Sequence, residues 1–394
     1  MTPQQPCSAF TENGRNEPFG GLARALTRVP AGEIVPAKVA RCPECSSRAL
    51  RVAVVLVSAP VMSATPVSRK RRLRKLVFAF VVLAIALLLA EGAMRAIAWA
   101  TGRERCMTYD ESLGWRMMAN VVRRDADWCR DRPGTTNSHG WRDAEHGFAR
   151  RPGVRRLLAL GDSGTFGPGV DQGERFTEYL EDDATEVINI GVCAWGTDQE
   201  VLAYEAEGHA YRADVVLLLV TICNDLEDIK SSRKAGWSKP YFTLEPDGLV
   251  LHRPPASWSV QLRSVSYFAE ALLQLFERDR PSAAVAPEWR EADSLPLFRA
   301  LVRRLAAAVR HDGAELLVVM ERPADGDPPE IARNGLRVLE ALAQDGIQVL
   351  DLRLGFDMPP AQRHELNLPD GHWSAKANRM AADEIRAELR RLGW

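Results

Sequence analysis

The stretch Leu157-Leu158-Ala159-Leu160-Gly161-Asp162-Ser163-Gly164-Thr165-Phe166-Gly167 decides the fold of this chain. Its apolar run has the length of a strand and stops at Gly-Asp-Ser-Gly, a pattern typical of strands buried on both faces of a sheet. In open α/β sheets, ligands bind beyond the carboxyl ends of the strands, which is where Ser163 lies. A serine there is a candidate nucleophile if a base lies nearby. The same motif also suits an ordinary turn in which Asp162 and Ser163 cap a helix.

Downstream of this stretch, strand-like and helix-like segments alternate to the end of the chain. The aliphatic segments that we predict to be strands are 156–160, 186–190, 215–220, 315–320 and 348–352. The segments that we predict to be helices are 174–181, 199–208, 260–277, 297–311, 330–344 and 374–391. Tyr241–Leu251 is predicted to be a hairpin that turns at Glu245–Gly248. Five aliphatic strands separated by helices predict an α/β domain over 151–394, with a mostly parallel sheet covered on both faces.

Length, charge and composition narrow the classes of function. The chain has 394 residues, and its 51 Lys and Arg against 52 Asp and Glu leave a net charge of -1, so no nucleic-acid partner is indicated. Residues 1–61 are rich in turn-forming residues and have no long periodic segment, so we expect them to be disordered or to precede the true start at Met62. Cys42 and Cys45 form a CxxC pair with no second CxxC or His pair behind it. We therefore predict no metal and no organic cofactor.

Residues 62–100 predict a membrane anchor. Arg69–Lys75 holds six basic residues in seven positions and precedes an uncharged apolar run from Leu76 to Ala90. This order places the N-terminus in the cytoplasm and exports the remainder of the chain. Fifteen residues are short for a span of about 20, but a helix continuing to Trp99 would reach the far interface, so the predicted membrane contact is residues 76–99. A cleavable signal, cut after Ala98 or Ala100, has a similar layout and is the alternative.

Residues 101–150 have little periodicity and are predicted to be an irregular lead-in to the α/β domain. Cys106 and Cys129 both lie in this segment, and an oxidising compartment outside the membrane would pair them in a disulfide. His139 and His146 are expected to have surface or hydrogen-bonding roles rather than metal-binding ones. Cys193 and Cys223, at strand ends, are expected to be small buried apolar residues.

Polar residues come after several of the predicted strands. The segment Asn189–Gln199 after the second strand contains glycines that let backbone N–H groups point at a ligand. Asn224 offers an amide donor after the third strand. Asp370 and His372 precede the last helix, and residues i and i+2 of an extended segment project to the same side. Asp370 can therefore orient His372 as a general base.

These residues resemble the blocks of the SGNH hydrolases, also called the GDSL esterase/lipase superfamily, over about Arg155 to Trp394. The resemblance implies a flavodoxin-like αβα sandwich with Ser163 as the nucleophile, His372 as the general base and Asp370 behind it. It also implies an oxyanion hole made of the Ser163 N–H, a second-block N–H from Ala194 or Gly196, and the Asn224 side chain. Such donors stabilise the charge that develops in the transition state. The basic anchor and the lead-in resemble those of membrane-anchored bacterial members.

The chain departs from the family pattern at three places. Gly164 comes after Gly-Asp-Ser, where Leu is usual, and Ile222 stands two residues before Asn224, where Gly is usual. The last block is Asp370-x-His372 with Trp373 next to it, whereas Asp-x-x-His is usual. This Asp-x-His-Trp form resembles the subset related to alginate-type O-acetyltransferases. Asp351, at the end of the fifth strand, is an alternative carboxylate that we expect to be structural.

The sequence thus predicts a hydrolase that acts on ester bonds through an acyl-enzyme and is anchored in the bacterial inner membrane by a single helix. The catalytic domain would face the extracytoplasmic side. Its expected substrate is an acyl group, possibly acetyl, on a small molecule, a sugar or an envelope polymer. Two alternatives stay open: an O-acyltransferase that uses the same site, and a catalytically inactive binding or assembly module.

Overall fold

The computed structural model describes residues 69–101, 105–123, 134–234, 237–254, 258–277, 293–321 and 328–394. The predictions for residues 1–61, including the Cys42/Cys45 pair and the start at Met62, lie outside the described residues. Cys129 also lies outside them, so its predicted disulfide with Cys106 stays a prediction.

The strands, in chain order, are β1 (Met107–Asp110), β2 (Gly114–Met117), β3 (Val122–Arg123), β4 (Gly134–Thr135), β5 (Arg155–Leu160), β6 (Thr185–Asn189), β7 (Val215–Thr221), β8 (Arg233–Lys234), β9 (Trp237–Ser238), β10 (Tyr241–Glu245), β11 (Gly248–His252), β12 (Glu315–Glu321) and β13 (Gln348–Leu352). The α-helices are α1 (Arg69–Ala100), α2 (Ser163–Phe166), α3 (Phe176–Leu180), α4 (Thr197–Ala206), α5 (Asp225–Asp228), α6 (Trp258–Val265), α7 (Tyr267–Glu277), α8 (Leu295–His311), α9 (Pro329–Gln344) and α10 (Ala375–Arg391). Single 3-10 turns occur at Gln172–Glu174, Gly208–Tyr211 and Pro360–Leu366.

The centre of the fold is a five-stranded parallel sheet in the order β13-β12-β7-β5-β6. Numbered along the chain, this is the 2-1-3-4-5 order of flavodoxin-like sheets, so the predicted α/β class is confirmed. The strand order reverses between β5 and β7. The carboxyl ends of these two strands therefore border the topological switch point, the crevice in which such sheets bind ligands.

The sheet is covered on both faces because alternate side chains of its aliphatic strands enter two separate cores. One core takes Leu158, Leu160 and Val216 and continues into α4 and α8. The other takes Leu157 and Ala159 and continues into α3 and α10.

The predicted segments match the observed strands within about one residue and most helices within about two. The segment predicted as one helix over 260–277 is two helices, α6 and α7, that break at Ser266. Ser266 Oγ accepts a hydrogen bond from Ala269 N at 3.0 Å and so caps the start of α7. A serine inside an otherwise helical pattern was the only signal of this break.

Helix α1 runs without interruption from Arg69 to Ala100. From Lys70 to Ala100 it is long and apolar enough to cross a membrane. Residues Ala84–Trp394, which include the last part of α1, form one compact unit, whereas the α1 residues up to Leu83 fall outside it.

The segment before β5 packs on the α/β domain. The Trp115 indole donates to the carbonyl of Cys193 at 3.2 Å, and the Trp195 indole donates to the carbonyl of Trp115 at 3.0 Å. Gln199 Nε2 donates to the carbonyl of Leu113 at 2.6 Å. This segment, in which we expected little regular structure, contains the antiparallel pairs β1–β2 and β3–β4.

His146, in the same segment, lies in a buried ion network. Its Nδ1 is 3.0 Å from Glu186 Oε1 and its Nε2 is 3.3 Å from Asp143 Oδ2. Burial lowers the pKa of His146, but the hydrogen bonds and charges of Asp143 and Glu186 outweigh it and raise the pKa to about 9. His146 is therefore a positively charged structural residue at neutral pH, in line with the hydrogen-bonding role expected for it.

Candidate active site

Ser163 is the first residue of α2, directly beyond the carboxyl end of β5. Asp162 caps the helix, because its Oδ1 accepts the Gly164 N–H at 2.8 Å. A Cβ atom at Gly161 would lie 2.2 Å from Thr165 Oγ1, so the turn requires glycine there. A Cβ atom at Gly164 would lie 2.8 Å from Leu219 Cδ2, which gives a steric reason for the departure from leucine at this position.

The carboxyl-terminal end of α2 is held by Arg142 from the segment before β5. The buried Arg142 guanidinium donates to the carbonyls of Phe166 at 3.0 Å and Val170 at 2.8 Å, and also to that of Gly167. These carbonyls include ones that a short helix leaves without partners at its end. Arg142 therefore fixes the four-residue helix that begins with Ser163, a role that no sequence pattern indicated.

Asn224, beyond the carboxyl end of β7, is joined to the Ser163 turn through Asp162. Asn224 Nδ2 donates to Asp162 Oδ2 at 2.7 Å, and Thr221 Oγ1 lies 3.3 Å from Asp162 Oδ1. A side-chain amide carries two N–H groups, so one remains for a ligand. Asp162 thus binds both the turn of the predicted nucleophile and the predicted amide donor across the switch point.

The two alternative backbone donors after β6 differ in conformation. The Gly196 N–H donates to Gln199 Oε1 at 3.3 Å in the cap of α4, and Gly196 is buried. Ala194 is half-buried and has a φ of 65°, the left-handed region that L-residues rarely occupy. Within the described residues, no backbone acceptor pairs with the Ala194 N–H. The geometry therefore favours Ala194 over Gly196 as a donor to a ligand.

Gly191 sets the close approach of this turn to α2. A Cβ atom at Gly191 would lie 2.7 Å from Thr165 Cβ and 2.9 Å from Phe166 N. Asn189 Nδ2 reaches the carbonyl of Thr165 at 2.7 Å from the end of β6. The turn after β6 and the helix of Ser163 are thus packed backbone to backbone.

Asp370 and His372 are neighbours in space as well as in sequence. His372 Nδ1 lies 3.1 Å from Asp370 Oδ2, although without the alignment of a full hydrogen bond. The His372 backbone N–H donates to Asp370 Oδ1 at 3.2 Å. Both side chains are about one fifth exposed, which leaves them accessible to a substrate. With Nδ1 turned to Asp370, His372 Nε2 is the nitrogen available for proton transfer.

Trp373 fixes the loop that carries this pair. Its indole Nε1 donates to Glu321 Oε1 at 2.5 Å, at the carboxyl end of β12. Its ring packs edge-on against Phe176, with ring centroids 6.3 Å apart. The loop therefore returns to the edge of the sheet at which β5 and β7 also end. The pairing of His372 with Ser163 itself stays a prediction.

Asp351, the alternative carboxylate, lies near the end of β13. It is 3.7 Å from the guanidinium of Arg353, which follows the strand. The observed pair with His372 is made by Asp370, not by Asp351. The structural role that we expected for Asp351 stays a prediction.

A cluster of buried carboxyl groups includes the cap of the Ser163 turn. Its members are Asp162 before α2, Asp198 and Glu200 in α4, and Asp225 and Asp228 in α5, all buried. In the part of the chain that the structure describes, neither oxygen of Glu200 has a hydrogen-bond partner. Burial, together with the negative charges of Asp225 and Asp162, raises the pKa of Glu200 well above its usual range.

Two lysine side chains form ion pairs with members of this cluster. Lys239, itself buried, pairs with Asp198, and Lys234 pairs with Asp228. Asp225 accepts the Thr221 N–H at 2.6 Å. Among the described residues, no group of three or more acidic, His or Cys side chains has the arrangement of a metal site. The fold therefore favours the neutral form of Glu200, because burial and the neighbouring carboxylates both disfavour its charge. Sequence reasoning missed it because a lone Glu in a helix carries no signal of burial.

The fold is similar to that of several solved structures of lipolytic enzymes. A lipase/acylhydrolase from Enterococcus faecalis matches with 14% identity and a TM-score of 0.37, covering 60% of this chain and 95% of that one. A member of the lipolytic protein G-D-S-L family from Veillonella parvula matches with 12% identity and a TM-score of 0.36, covering 60% and 100%. A psychrotrophic esterase from Pseudoalteromonas sp. matches with 11% identity and a TM-score of 0.35, covering 60% and 98%. No protein-family model and no curated protein sequence matches the chain.

Proposed function

We propose that this chain is a serine-dependent ester hydrolase of the SGNH type. The observation that carries the proposal is the Asp162 carboxylate, which binds the Gly164 N–H at 2.8 Å and the Asn224 amide at 2.7 Å. An amide donor is thereby held beside the turn that begins with Ser163. The proposal is further supported by the Asp370–His372 pair at the same edge of the sheet.

In the proposed reaction, His372 takes the proton of Ser163 Oγ as that oxygen attacks the ester carbonyl. The developing oxyanion is stabilised by the Ser163 N–H, the Ala194 N–H and the Asn224 side chain. His372 then returns the proton to the leaving alkoxide, which leaves an acyl-serine. Water attacks this acyl-enzyme with His372 again as base, and the released serine takes back the proton.

The proposed substrate is an O-acyl group, such as acetyl, on a small molecule, a carbohydrate or an envelope polymer. The proposed location is the inner membrane, with α1 as a single span and the domain on the extracytoplasmic side. This orientation is supported by the block of basic residues that precedes the apolar run Leu76–Ala90.

The test is hydrolysis of acyl p-nitrophenyl esters and acetylated glycans by the full-length chain in detergent. Ser163→Ala is expected to lower kcat by on the order of 10⁴–10⁶-fold. The matched control is Ser112→Ala in the exposed β1–β2 turn, which should retain wild-type activity. A fluorophosphonate should label Ser163, as read by peptide mass spectrometry. Activity of Ser163→Ala within about tenfold of wild type would contradict the proposed mechanism.

A second assay, with sugar acceptors added, distinguishes hydrolysis from acyl transfer. Acyl transfer yields an acylated sugar, whereas hydrolysis yields the free acid.

A further inference from the structure

Helix α6 has an apolar stripe that faces outward. Trp258, Leu262 and Val265 recur at i, i+4 and i+7, which places them on one side of the helix. They are 71%, 40% and 63% exposed. The opposite side carries Val260 and Arg263, both buried. The helix therefore packs on the domain through one face and presents its second apolar face outward.

Helix α7 repeats the same spacing. Phe268, Leu272 and Leu275 also lie at i, i+4 and i+7, and the two leucines are 42% and 64% exposed. Ala269, a quarter turn away, is buried. Two consecutive helices thus carry matching outward apolar stripes. Exposed apolar residues grouped on two successive helices in this way indicate an interaction site, whereas apolar residues scattered singly would be ordinary surface.

The turn between α6 and α7 is bound to α1. The Glu91 carboxylate accepts the backbone N–H groups of Tyr267 at 3.2 Å and Phe268 at 3.0 Å, and the Ser266 hydroxyl at 2.8 Å. These are N–H groups that the start of α7 would otherwise leave unpaired. Arg95 Nη2 donates to the carbonyl of Val265 at 3.0 Å. The turn therefore lies against α1 just after the exposed apolar run that ends at Ala90.

Two guanidinium groups accompany this contact. Arg105 donates to the carbonyl of Ser264 at 2.7 Å and to Glu270 at 3.0 Å, and it stacks 4.6 Å from the centre of the Tyr267 ring. Arg95 lies 5.3 Å from the same ring and is 55% exposed. Both guanidinium groups thus lie over a tyrosine ring, and tyrosine is enriched at the headgroup layer of a bilayer.

The end of the uncharged run of α1 marks the level of this contact. The run Leu76–Ala90 ends directly before Glu91, the residue that binds the start of α7. Helices that lie flat in the interface bury their apolar face about 5–10 Å below the headgroups. A hairpin bound at Glu91 therefore lies where the uncharged part of α1 ends.

We propose that the α6–α7 hairpin lies flat in the outer leaflet of the membrane that α1 crosses, with its apolar stripes among the lipid chains. The proposal rests on the membrane anchoring in the proposed function. Its occupant is lipid, because the turn between the two stripes is bound to α1 through Glu91 and Arg95, directly after the exposed apolar run that the proposed function places in the membrane. The hairpin would give the domain two points of attachment and so fix its orientation to the bilayer.

The test uses the full chain in nanodiscs of phosphatidylethanolamine and phosphatidylglycerol. A photoreactive benzoyl-phenylalanine replaces Leu262 or Leu272 in the hairpin, Leu88 in α1, or Leu336 in α9 as the matched control, since Leu336 is 63% exposed on another helix. Illumination should yield lipid adducts at Leu262 and Leu272 at least about fivefold above Leu336. The Leu88 probe reports on the anchor independently.

Each outcome decides a point. Lipid adducts at Leu88 without lipid adducts in the hairpin would overturn the hairpin proposal alone. The absence of a lipid adduct at Leu88 would overturn both the membrane anchoring and the hairpin proposal. It would leave the proposed esterase reaction untouched, because that reaction is tested by the ester assay. Adducts from Leu262 or Leu272 to a second protein chain would replace lipid by a protein partner and overturn the proposal. Quenching of tryptophan fluorescence by acyl-chain-brominated lipids is a readout that needs no photoprobe. Trp258→Phe should lose a component of this quenching, and unchanged quenching would overturn the insertion of α6.

Discussion

Asp370 holds His372 at two points, through the backbone N–H at 3.2 Å and the ring Nδ1 at 3.1 Å. The backbone contact holds the carboxylate in place, with Oδ2 beside Nδ1 of the imidazole ring. We predict that Asp370→Asn lowers kcat by on the order of 10⁴-fold with little change in KM, because the amide cannot stabilise the imidazolium. The measurement is steady-state kinetics of the full-length chain across pH. Asp351→Asn, which affects the carboxylate near Arg353, is the control and should stay close to wild type. Equal losses in both variants would contradict the role of Asp370.

At the residue scale, Ser163 and Asn224 could be predicted from the sequence because each follows a recognisable strand, and parallel strands bring their carboxyl ends to one edge. Asp370 was predicted from its i, i+2 spacing to His372, and the structure places these two side chains side by side. The supporting residues were not indicated. Arg142 reaches α2 from 24 residues upstream, a contact that depends on how the preceding segment packs. The choice between Ala194 and Gly196 needed backbone angles, which no local pattern specifies for a non-glycine residue.

Glu200, in helix α4, makes the stability of the folded protein depend on pH. Burial and neighbouring charges raise the folded-state pKa of Glu200, so the folded state holds a proton that the unfolded state releases above the ordinary glutamate pKa. The contribution of this group to stability is therefore fully present at acidic pH and is lost as pH rises. The glutamine of Glu200→Gln cannot ionise. We therefore predict that the unfolding temperature of Glu200→Gln, compared with that of the wild type, is higher at pH 8.5 than at pH 5.

The measurement is the unfolding temperature from intrinsic tryptophan fluorescence of the full-length chain in detergent. The control on the same helix is Glu205→Gln, which removes an ion pair with Arg304 at 2.7 Å. Its effect should be the same at the two pH values. A Glu200→Gln difference that does not change with pH would mean that Glu200 is charged in the folded protein.

Elements were predicted well wherever hydrophobic periodicity was strong. Each of the five strands of the sheet contains a run of aliphatic residues, so their positions result from burial in the sheet. The break at Ser266 was missed because the apolar pattern runs through it. It depends on Glu91, more than 170 residues away in the chain, whose carboxylate accepts the N–H groups at the start of α7.

At the scale of the whole molecule, the network of His146, Asp143 and Glu186 joins the segment before β5 to the sheet. The pKa of His146 is raised to about 9 in the folded state, so its contribution to stability is full below about pH 6.5 and is lost as pH rises through about 9. We predict that His146→Gln lowers stability by roughly 1–2 kcal/mol at pH 6, after allowance for solvent screening, and by much less at pH 9.5.

Thermal unfolding of both proteins at the two pH values is the measurement. His364→Gln, at an exposed position, is the control and should show no such convergence. If His146→Gln is destabilised by the same amount at pH 9.5, His146 contributes to stability through packing rather than through its charge.

Two hydrogen bonds join Trp115 to the turn that contains Trp195, and they limit where the protein can be shortened. A protein trimmed to start at the first strand of the sheet would keep every predicted catalytic side chain. It would also remove the partner of the buried Trp195 indole and expose the turn that contains Ala194. We therefore expect a shortened protein with an intact site to begin before Met107 rather than at the first strand of the sheet.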